Sequence, residues 1–360
     1  MDRVRVLVAG CGSIGKRHAR LWCEQPSAEV WVCDTLEANL QAATEQAPGA
    51  RPFTSYEAAL AERPDVVYIC TPNHLHRPMV EAAWGAGCHV LCEKPLADSV
   101  ANAEAMAAMV GGAACGGGRR PEAHPAPGTD SGPDARDTAA AIRPLLCVGY
   151  SLRSHGGLRR VLEIVRSGVL GTLVGGRAMV GTYFTLMCAT TPYRMTEPNA
   201  LIIDYTHLLD YMRLFLGDAE RVSAESATLG DLPQLPQPNL FSLLVRYRSG
   251  AVGEIHMDYI QHPQRSHVEL YGDRGVVKYD FQTGVLELFD FDKDDSPRHA
   301  HHVEHVIVAR DDIYRVQIET VLQALRGEET PLATAADGVA ALKLAEAAVR
   351  AAAEGRAVGV

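Results

Sequence analysis

Two stretches far apart in the sequence carry side chains that suit acid–base chemistry on a hydroxyl group. Lys94 directly follows the apolar run His89–Cys92 and is fixed by Pro95, so we expect its amine to project from the carboxyl edge of a sheet. A lysine there can polarise or protonate an oxygen near neutral pH. Asp204 and His207 lie three residues apart on one face of a predicted helix, and a nearby carboxylate gives an imidazole a pKa suited to taking a proton.

Each of these groups also has a purely structural interpretation. Lys94 could be a solvated loop residue paired with Glu93. His207 could be tied to Asp204, or to Asp210 one step further along the same helix. The spacing alone leaves these alternatives open, and 110 positions separate Lys94 from Asp204, so only the fold can bring the two stretches together.

The elements that must position these groups begin with a glycine-rich turn. Val4–Ala9 predicts a short buried strand, and Gly10, Gly12 and Gly15 follow at G-x-G-x-x-G spacing around a helix that starts at Ile14. The glycines permit a tight turn, close approach of the backbone to a diphosphate, and close packing of helix on strand. The helix start directs N–H groups and a positive dipole end at the phosphates. The stretch predicts a dinucleotide site; the alternative is an ordinary glycine-rich turn.

A carboxylate stands where such a site needs one. A second predicted strand, Val30–Cys33, ends at Asp34, about twenty residues after the turn, where an acid binds the ribose hydroxyls. A carboxylate repels a 2′-phosphate, and neither Thr35 nor Leu36 is basic, so we expect NAD rather than NADP. The alternative is that Asp34 caps a helix.

Further strands and helices alternate along the first part of the chain. Val66–Cys70 predicts a buried strand that ends in the loop Thr71-Pro72-Asn73-His74, at the sheet edge where doubly wound folds bind ligands. Leu145–Gly149 predicts one more strand of the same sheet. Helices are expected over Glu37–Gln46 and over Ser99–Val110. Two more are expected between them, one after a capping box at Thr54–Glu57 and one with Pro78 at its first position.

Composition limits the class of protein. A chain of 360 residues favours two domains, and a net charge of −10 argues against nucleic acid or an anionic membrane as partner. None of the nine cysteines forms a C-x-x-C pair, which indicates buried, reduced thiols. Met1 leads directly into a strand and no apolar run reaches the length of a membrane span, so we expect a cytoplasmic protein.

The pattern divides the chain into two domains. Residues 1–150 predict an α/β Rossmann domain, interrupted at 111–141 by a glycine- and proline-rich insertion that lacks bulky apolar residues. Residues 151–360 predict an α+β domain with an open, mostly antiparallel sheet, whose last helix packs near the domain junction. Such a sheet commonly packs on a copy of itself, so we expect a homodimer or homotetramer.

Two further features of the second domain can be interpreted from the sequence. Leu201–Phe215 predicts one continuous helix that carries Asp204 and His207. The histidines at 299, 301, 302 and 305 suggest a metal site, but no cysteine or carboxylate stands at familiar ligand spacing. We therefore expect a solvated loop without metal.

Taken together, these motifs resemble the Gfo/Idh/MocA family, the glucose–fructose oxidoreductase and inositol dehydrogenase group. The matching residues are Gly10-Cys11-Gly12-Ser13-Ile14-Gly15, Cys70-Thr71-Pro72-Asn73-His74-x-His76, Glu93-Lys94-Pro95-Leu96 and Asp204-x-x-His207-x-x-Asp210. The resemblance implies an NAD(P)-dependent oxidoreductase that transfers hydride between nicotinamide and a secondary alcohol of a sugar, aminosugar or cyclitol. It leaves room for NAD-dependent glycoside hydrolysis by transient oxidation, or for a non-enzymatic dinucleotide-binding sensor.

The resemblance also assigns roles to residues. Lys94 matches the lysine that polarises the reacting oxygen, His207 the proton acceptor, and Asp204 the carboxylate that orients substrate or histidine. The cofactor is expected to contact the turn Gly10, Cys11, Gly12, Ser13, Ile14 and Gly15, together with Asp34, Thr71, Pro72, Asn73, His76, Glu93 and Lys94. The expected substrate contacts are Arg153, His155, Tyr183, Tyr193 and Arg194.

The sequence departs from the family pattern at two points. The family often places its aspartate and histidine four residues apart, whereas Asp204 and His207 are three apart. The glycine pair that usually precedes that helix is replaced by Asn199-Ala200. These departures indicate a different pocket mouth and a less standard role for Asp204.

Overall fold

The computed structural model describes residues 3–111, 144–183, 199–232, 235–291, 299–328 and 332–360. The predicted insertion from residue 112 onward lies outside these ranges, as do the candidate substrate residues Tyr193 and Arg194. Within them the chain forms one seven-stranded and one nine-stranded sheet.

The first sheet is built from short strands, and its central strands are apolar and buried on both faces. Its strands are β1 (Val4–Ala9), β2 (Ala28–Cys33), β3 (Arg51–Phe53), β4 (Val66–Ile69), β5 (His89–Cys92), β6 (Leu146–Val148) and β15 (Ala333–Thr334). They lie in the order β15-β6-β5-β4-β1-β2-β3, and all pair in parallel except β15, which is antiparallel to β6.

Helices cover both faces of this sheet, as parallel strands require. They are α1 (Ser13–Cys23), α2 (Glu37–Gln46), α3 (Tyr56–Ala61), α4 (His76–Gly85) and α5 (Val100–Gly111). The α/β Rossmann architecture expected for the N-terminal part is confirmed. Because the strands are parallel, the turns after β1, β2, β4 and β5 meet at one edge of the sheet.

Several helix starts differ from their predicted positions by one or two residues. The residue that caps α3 is Ser55 rather than Thr54, because the Ser55 hydroxyl accepts a hydrogen bond from the Ala58 N–H at 3.2 Å. Helix α4 begins at His76 rather than at Pro78. Proline is tolerated there because the first N–H groups of a helix need no partner within it.

The second sheet is mixed but mostly antiparallel. Its strands are β7 (Leu173–Gly181), β8 (Ala219–Ala227), β9 (Leu240–Tyr247), β10 (Val252–Asp258), β11 (Arg265–Gly272), β12 (Gly275–Asp280), β13 (Val285–Phe291), β14 (His299–His305) and β16 (Val358–Gly359). They lie in the order β14-β13-β12-β11-β7-β10-β9-β8-β16, and only β7 and β10 pair in parallel.

One face of this sheet is covered and the other is open. The helices that contact it are α6 (Gly156–Arg166), α7 (Ala200–Asp204), α8 (Thr206–Leu216) and α10 (Ala335–Glu354). Helix α9 (Arg310–Leu325) instead contacts α1, and its buried residues join the core of the first sheet. Along β7, Ala178 and Val180 are buried beneath helices, whereas Arg177 and Met179 point to the other face. That open face exposes half of Leu244. The open-sheet α+β domain expected from the sequence is confirmed.

Two predictions for this domain are wrong. The helix over 201–215 is not continuous, because Tyr205 (φ −101°, ψ 25°) leaves the helical region and separates α7 from α8. The histidine cluster is not a loop: His299–His305 forms the edge strand β14. Its extended conformation is supported by His301, whose ring stacks on Phe289 at 4.2 Å.

The two sheets meet at α10. Helix α10 contacts α5 of the first domain, and also α8 and β8 of the second. Its Gly338 fits there because a Cβ would lie 2.8 Å from Leu96. Helix α9 contacts α1, where Asp311 pairs with Arg17 at 3.2 Å and with Arg20 at 2.6 Å. Helix α10 thus contacts elements that belong to both sheets.

The described ranges contain no helix long and apolar enough to cross a membrane. Their cysteines are unpaired, and all except Cys23 are buried. In the same ranges no group of three or more histidine, cysteine or acidic side chains is placed to hold a metal ion.

Candidate active site

The glycine-rich turn between β1 and α1 is shaped by contacts that exclude side chains. Gly10 has a φ of +92°, and a Cβ there would lie 2.7 Å from the backbone of Cys70. A Cβ on Gly15 would lie within 2 Å of the Gly10 carbonyl oxygen. A Cβ on Gly12 would meet nothing within 4 Å, so open space faces this backbone at the start of α1. The turn therefore fits a diphosphate that approaches the backbone closely.

Asp34 lies beside this turn, at the end of β2. Its Oδ2 accepts hydrogen bonds from the Cys11 N–H at 2.7 Å and the Asn39 amide at 3.1 Å. Its Oδ1 accepts one from the Leu36 N–H at 2.9 Å. The carboxylate is thus fixed next to the cradle and remains partly exposed. This placement suits a ribose hydroxyl and opposes a 2′-phosphate.

The loop after β4 is tied to the loop after β5 through His76. Thr71, Pro72 and Asn73 precede α4, whose first residue His76 is 1% exposed. Its Nε2 lies 2.9 Å from the Thr71 carbonyl oxygen and its Nδ1 lies 3.0 Å from that of Pro95. Burial lowers the pKa of this imidazole. His76 therefore holds the two loops together, and direct contact with a cofactor stays a prediction.

Glu93 faces inward from the end of β5. Its Oε1 lies 3.1 Å from His18 Nε2 on α1, and its Oε2 accepts the Lys94 backbone N–H at 3.3 Å. His18 is fully buried, and Gly149 leaves the room, since a Cβ there would lie 2.9 Å from the Glu93 carboxyl group. Glu93 is thus engaged with α1 and with the backbone of Lys94. The sequence analysis did not single out His18 or Gly149, because nothing local marks their contact.

The Lys94 amine reaches the second domain at α7. Its Nζ donates to the Asp204 carbonyl oxygen at 2.9 Å and lies 4.0 Å from Asp204 Oδ1. The side chains of both residues are less than one-fifth exposed. The Tyr259 hydroxyl donates to Asp204 Oδ2 at 2.8 Å. Lys94 is therefore not a solvated partner of Glu93. The fold brings Lys94 and Asp204 into contact although 110 positions separate them in the sequence.

His207 lies beside this pair on α8. Its ring approaches the ring of Tyr150 edge-on, with centroids 5.5 Å apart. Its Nδ1 is buried, and no side chain or backbone group in the described ranges hydrogen bonds to it. Burial first and the Lys94 charge second lower the pKa of His207 to about 3. The expected upward influence of a carboxylate is absent, because the helix break turns Asp204 toward Lys94 and Tyr259.

A neutral imidazole beside an ammonium group can accept a proton but holds it only briefly. Asp210 does not tie this ring down, because it binds Arg153 through two hydrogen bonds of 2.8 and 2.6 Å. The structural alternatives for His207, a bond to Asp204 or to Asp210, are therefore not observed. Lys94, Asp204 and His207 are brought together with chemistry suited to a CH–OH group.

The candidate substrate residues have varied positions. Arg153 bridges Asp210 and Asp337, and His155 caps α6 by accepting the Gly157 N–H at its Nδ1. The Arg153 guanidinium and the Nδ1 atom of His155 are thus engaged within the protein. Tyr183 follows β7 and is half-buried. Contacts of these residues with a substrate stay predictions.

Comparison with known proteins agrees with this arrangement. Residues 4–115 match the model of the oxidoreductase family with an NAD-binding Rossmann fold (GFO_IDH_MocA), and residues 196–360 match its C-terminal alpha/beta domain. A D-apiose dehydrogenase from Paraburkholderia graminis is 26% identical over 80% of this chain and 68% of its own length. A 1,5-anhydro-D-fructose reductase from Ensifer adhaerens is 27% identical over 88% of this chain and 86% of its own.

A solved structure of levoglucosan dehydrogenase in complex with NADH has the same fold. It superposes with a TM-score of 0.81, covers 100% of this chain and 99% of its own, and is 18% identical. The two family models together span most of the 360 residues. The chain belongs to the Gfo/Idh/MocA family of NAD-binding oxidoreductases that act on CH–OH groups.

Proposed function

We propose that this protein is an NAD-dependent dehydrogenase or ketoreductase for a secondary alcohol of a sugar, aminosugar or cyclitol. The observation that carries the proposal is the meeting of Lys94, Asp204 and His207 at the carboxyl edge of the Rossmann sheet. The fixed Asp34 carboxylate favours NAD over NADP. The named activities of the D-apiose and anhydrofructose relatives agree with the substrate class.

The residues present fit the dinucleotide. Gly10, Gly12 and Gly15 would receive the diphosphate, Asp34 would bind the adenosine ribose, and the loops around Thr71 would flank the nicotinamide end. When bound, the nicotinamide supplies a hydride acceptor for oxidation and a hydride donor for reduction. The protein must then handle the hydroxyl proton and the charge that develops on oxygen.

Lys94 and His207 divide this work. The Lys94 ammonium stabilises the negative charge that grows on the substrate oxygen as its O–H bond breaks. The neutral His207 ring accepts that proton, while the C–H bond breaks with transfer of hydride and a C=O bond forms. Burial and the Lys94 charge lower the pKa of His207, so the ring is neutral before the reaction and can accept the proton. Reduction of the ketone runs through the same groups in reverse.

Asp204 places the amine. Its carbonyl oxygen accepts a hydrogen bond from Lys94 Nζ, and its carboxylate balances the positive charge from 4.0 Å away. A lysine held by two groups of one residue has a restricted position, which is what stabilisation of a charge at one substrate atom requires.

The test is NADH formation by the purified chain with D-apiose, levoglucosan and myo-inositol, and NADH consumption with 1,5-anhydro-D-fructose. We expect NAD-dependent turnover of at least one compound. Lys94→Ala and His207→Ala should each lower kcat by about a hundredfold or more, the usual scale for acid–base groups. Lys343→Ala and His302→Asn serve as matched controls, because these residues are exposed on α10 and β14.

The outcomes separate the alternatives. Full turnover by both site variants would contradict the mechanism. NAD that copurifies with the protein, together with cleavage of a glycoside and no net NADH, would instead indicate hydrolysis by transient oxidation. Binding of NADH without turnover of any polyol, ketose or glycoside would indicate a sensor.

The chain is also proposed to form a homodimer or homotetramer through the open face of its second sheet. This face combines the exposed Leu244 with the ion pair between Arg177 and Glu254, a mixture that is common in interfaces. Light scattering after size exclusion should give a multiple of the monomer mass, and Leu244→Asp should reduce it. A monomeric wild-type protein would refute the proposal.

A further inference from the structure

Tyr259 is a buried tyrosine whose hydroxyl ends at the candidate active site. It follows β10, is 1% exposed, and donates from its hydroxyl to Asp204 Oδ2 at 2.8 Å. Its ring lies 5.9 Å from that of Tyr205, the residue that separates α7 from α8. Its backbone N–H donates to the carbonyl oxygen of Asn239, a residue that is also 1% exposed. Neither its position in the sequence nor the family motifs mark this residue.

The turn that carries Tyr259 is braced by the neighbouring carboxylate. Asp258 is 2% exposed, and its Oδ1 accepts the backbone N–H groups of Ile260 at 2.8 Å and Gln261 at 2.9 Å. Its Oδ2 accepts the Gln261 side-chain amide at 2.6 Å and lies 2.9 Å from His256 Nε2. Gly181 leaves room for the Gln261 side chain, since a Cβ there would lie 2.3 Å from it. A turn held this closely gives the Tyr259 hydroxyl a fixed position.

Asp204 connects the Tyr259 hydroxyl to the Lys94 amine. With Oδ2 occupied by the tyrosine hydroxyl, Oδ1 is the carboxylate oxygen directed at Lys94 Nζ. The carbonyl oxygen of Asp204 accepts from the same amine at 2.9 Å. Asp204 is the last residue of α7, directly before the helix break at Tyr205.

We propose that Tyr259 is a positioning residue of the active site, which fixes the Asp204 carboxylate and through it the Lys94 amine. This inference rests on the proposed function for its effect on turnover. Its structural part, the tether from tyrosine to aspartate to lysine, holds whatever the substrate is. A hydroxyl suits this role because it donates one hydrogen bond to a carboxylate without adding a charge that would compete with Lys94.

The experiment uses Tyr259→Phe, which removes only the hydroxyl, and Tyr279→Phe as its matched control. Tyr279 is equally buried, lies on β12 and donates its hydroxyl to the Val306 carbonyl oxygen at 2.8 Å. Both variants therefore lose one buried hydrogen bond, and similar shifts in melting temperature are expected. Only Tyr259→Phe should affect the Lys94 amine.

The first measurement is competitive acetylation of lysine amines with acetic anhydride, read by peptide mass spectrometry. Lys94 is one of five lysines, and Lys343 provides an exposed internal standard. We expect Tyr259→Phe to raise the labelling rate of Lys94 relative to Lys343 by about twofold or more, since the amine loses a fixed partner. Asp204→Asn, which keeps the side-chain size, should have the same effect, and Tyr279→Phe should have none.

The second measurement is a double-mutant cycle on turnover of whichever polyol the chain oxidises. Tyr259→Phe should lower kcat by about tenfold and leave KM within about twofold, because the lost contact acts on the reacting oxygen rather than on binding. In an Asp204→Ala background the same change should have almost no further effect.

The outcomes are distinct. Additive effects in the cycle, or equal labelling of Lys94 in Tyr259→Phe and wild type, would overturn the proposal. An equal loss of turnover in Tyr279→Phe would also overturn it, since the effect would then reflect general stability. If Tyr259→Phe raises the labelling of Lys94 but the wild-type protein oxidises no tested polyol, the tether stands and the result counts against the proposed function alone.

Discussion

His155 gives the protein a specific sensitivity to acid. This residue is 6% exposed and precedes α6, where its Nδ1 accepts the Gly157 N–H at 3.1 Å. Its ring packs against Tyr279 and Phe281, with centroids 5.6 and 5.0 Å apart. Burial lowers the pKa of His155 from 6.5 to about 4. A proton on Nδ1 would remove the helix cap and leave a charge among aromatic rings.

The size of the effect follows from linkage between protonation and folding. The unfolded chain takes up this proton near pH 6.5 and the folded protein only near pH 4, so the free energy of unfolding falls as the pH falls between these values. Each pKa unit corresponds to about 1.4 kcal/mol, so full protonation of His155 should lower the free energy of unfolding by about 3 kcal/mol in total. About 2 to 3 kcal/mol of this decrease should occur between about pH 7.5 and about pH 4.5.

The assay is urea unfolding of wild type and His155→Asn at both pH values, followed by far-ultraviolet circular dichroism. Asparagine keeps a good helix cap and cannot titrate, but it loses the ring contacts, so the variant should be less stable than wild type at about pH 7.5. That difference should shrink by about 2 to 3 kcal/mol at about pH 4.5. An unchanged difference would refute the reasoning. His302→Asn, at an exposed position on β14, should change the pH dependence little.

Two further predictions concern the cofactor and the buried charges. Asp34→Ser should lower the ratio of kcat/KM for NAD over NADP by about tenfold or more, because the carboxylate that opposes a 2′-phosphate is gone; an unchanged ratio would contradict its role. Arg153→Met should lower the free energy of unfolding by about 3 to 5 kcal/mol, measured by urea unfolding, because it leaves the buried Asp210 carboxylate without the cation that binds it through two hydrogen bonds. Arg356→Met, at an exposed position, is its control and should change little.

The parts of the fold that sequence could predict are those with local causes. The turn at Gly10 and Gly15 is required by contacts within a few residues or with the neighbouring strand, and glycine is the only residue that permits them. The position of Asp34 could be predicted because this residue directly follows Cys33, the last residue of β2. Most strand and helix positions follow from apolar periodicity, and the differences in the first domain include helix starts such as that of α4 at His76.

The rest of the site could not be predicted because it depends on contacts between distant elements. Glu93 turns inward to His18 across 75 residues, and Tyr259 reaches Asp204 across 55. The ion pairs of Arg153 and the helix cap formed by His155 were likewise not predicted, and their contact with a substrate stays a prediction. The break at Tyr205 also gives no periodic signal, since both helices keep the same apolar pattern.

The geometry of Lys94 shows why both domains are needed for the site. The first domain fixes its backbone, through the N–H that donates to Glu93 and through the Pro95 carbonyl oxygen that lies against His76. The second domain fixes its amine, through Asp204. Backbone and amine are thus fixed by different domains, and the charge reaches its place only when the two sheets are docked through α10. Loosening that junction should therefore impair turnover more than cofactor binding, because the glycine turn and Asp34 belong to the first sheet alone.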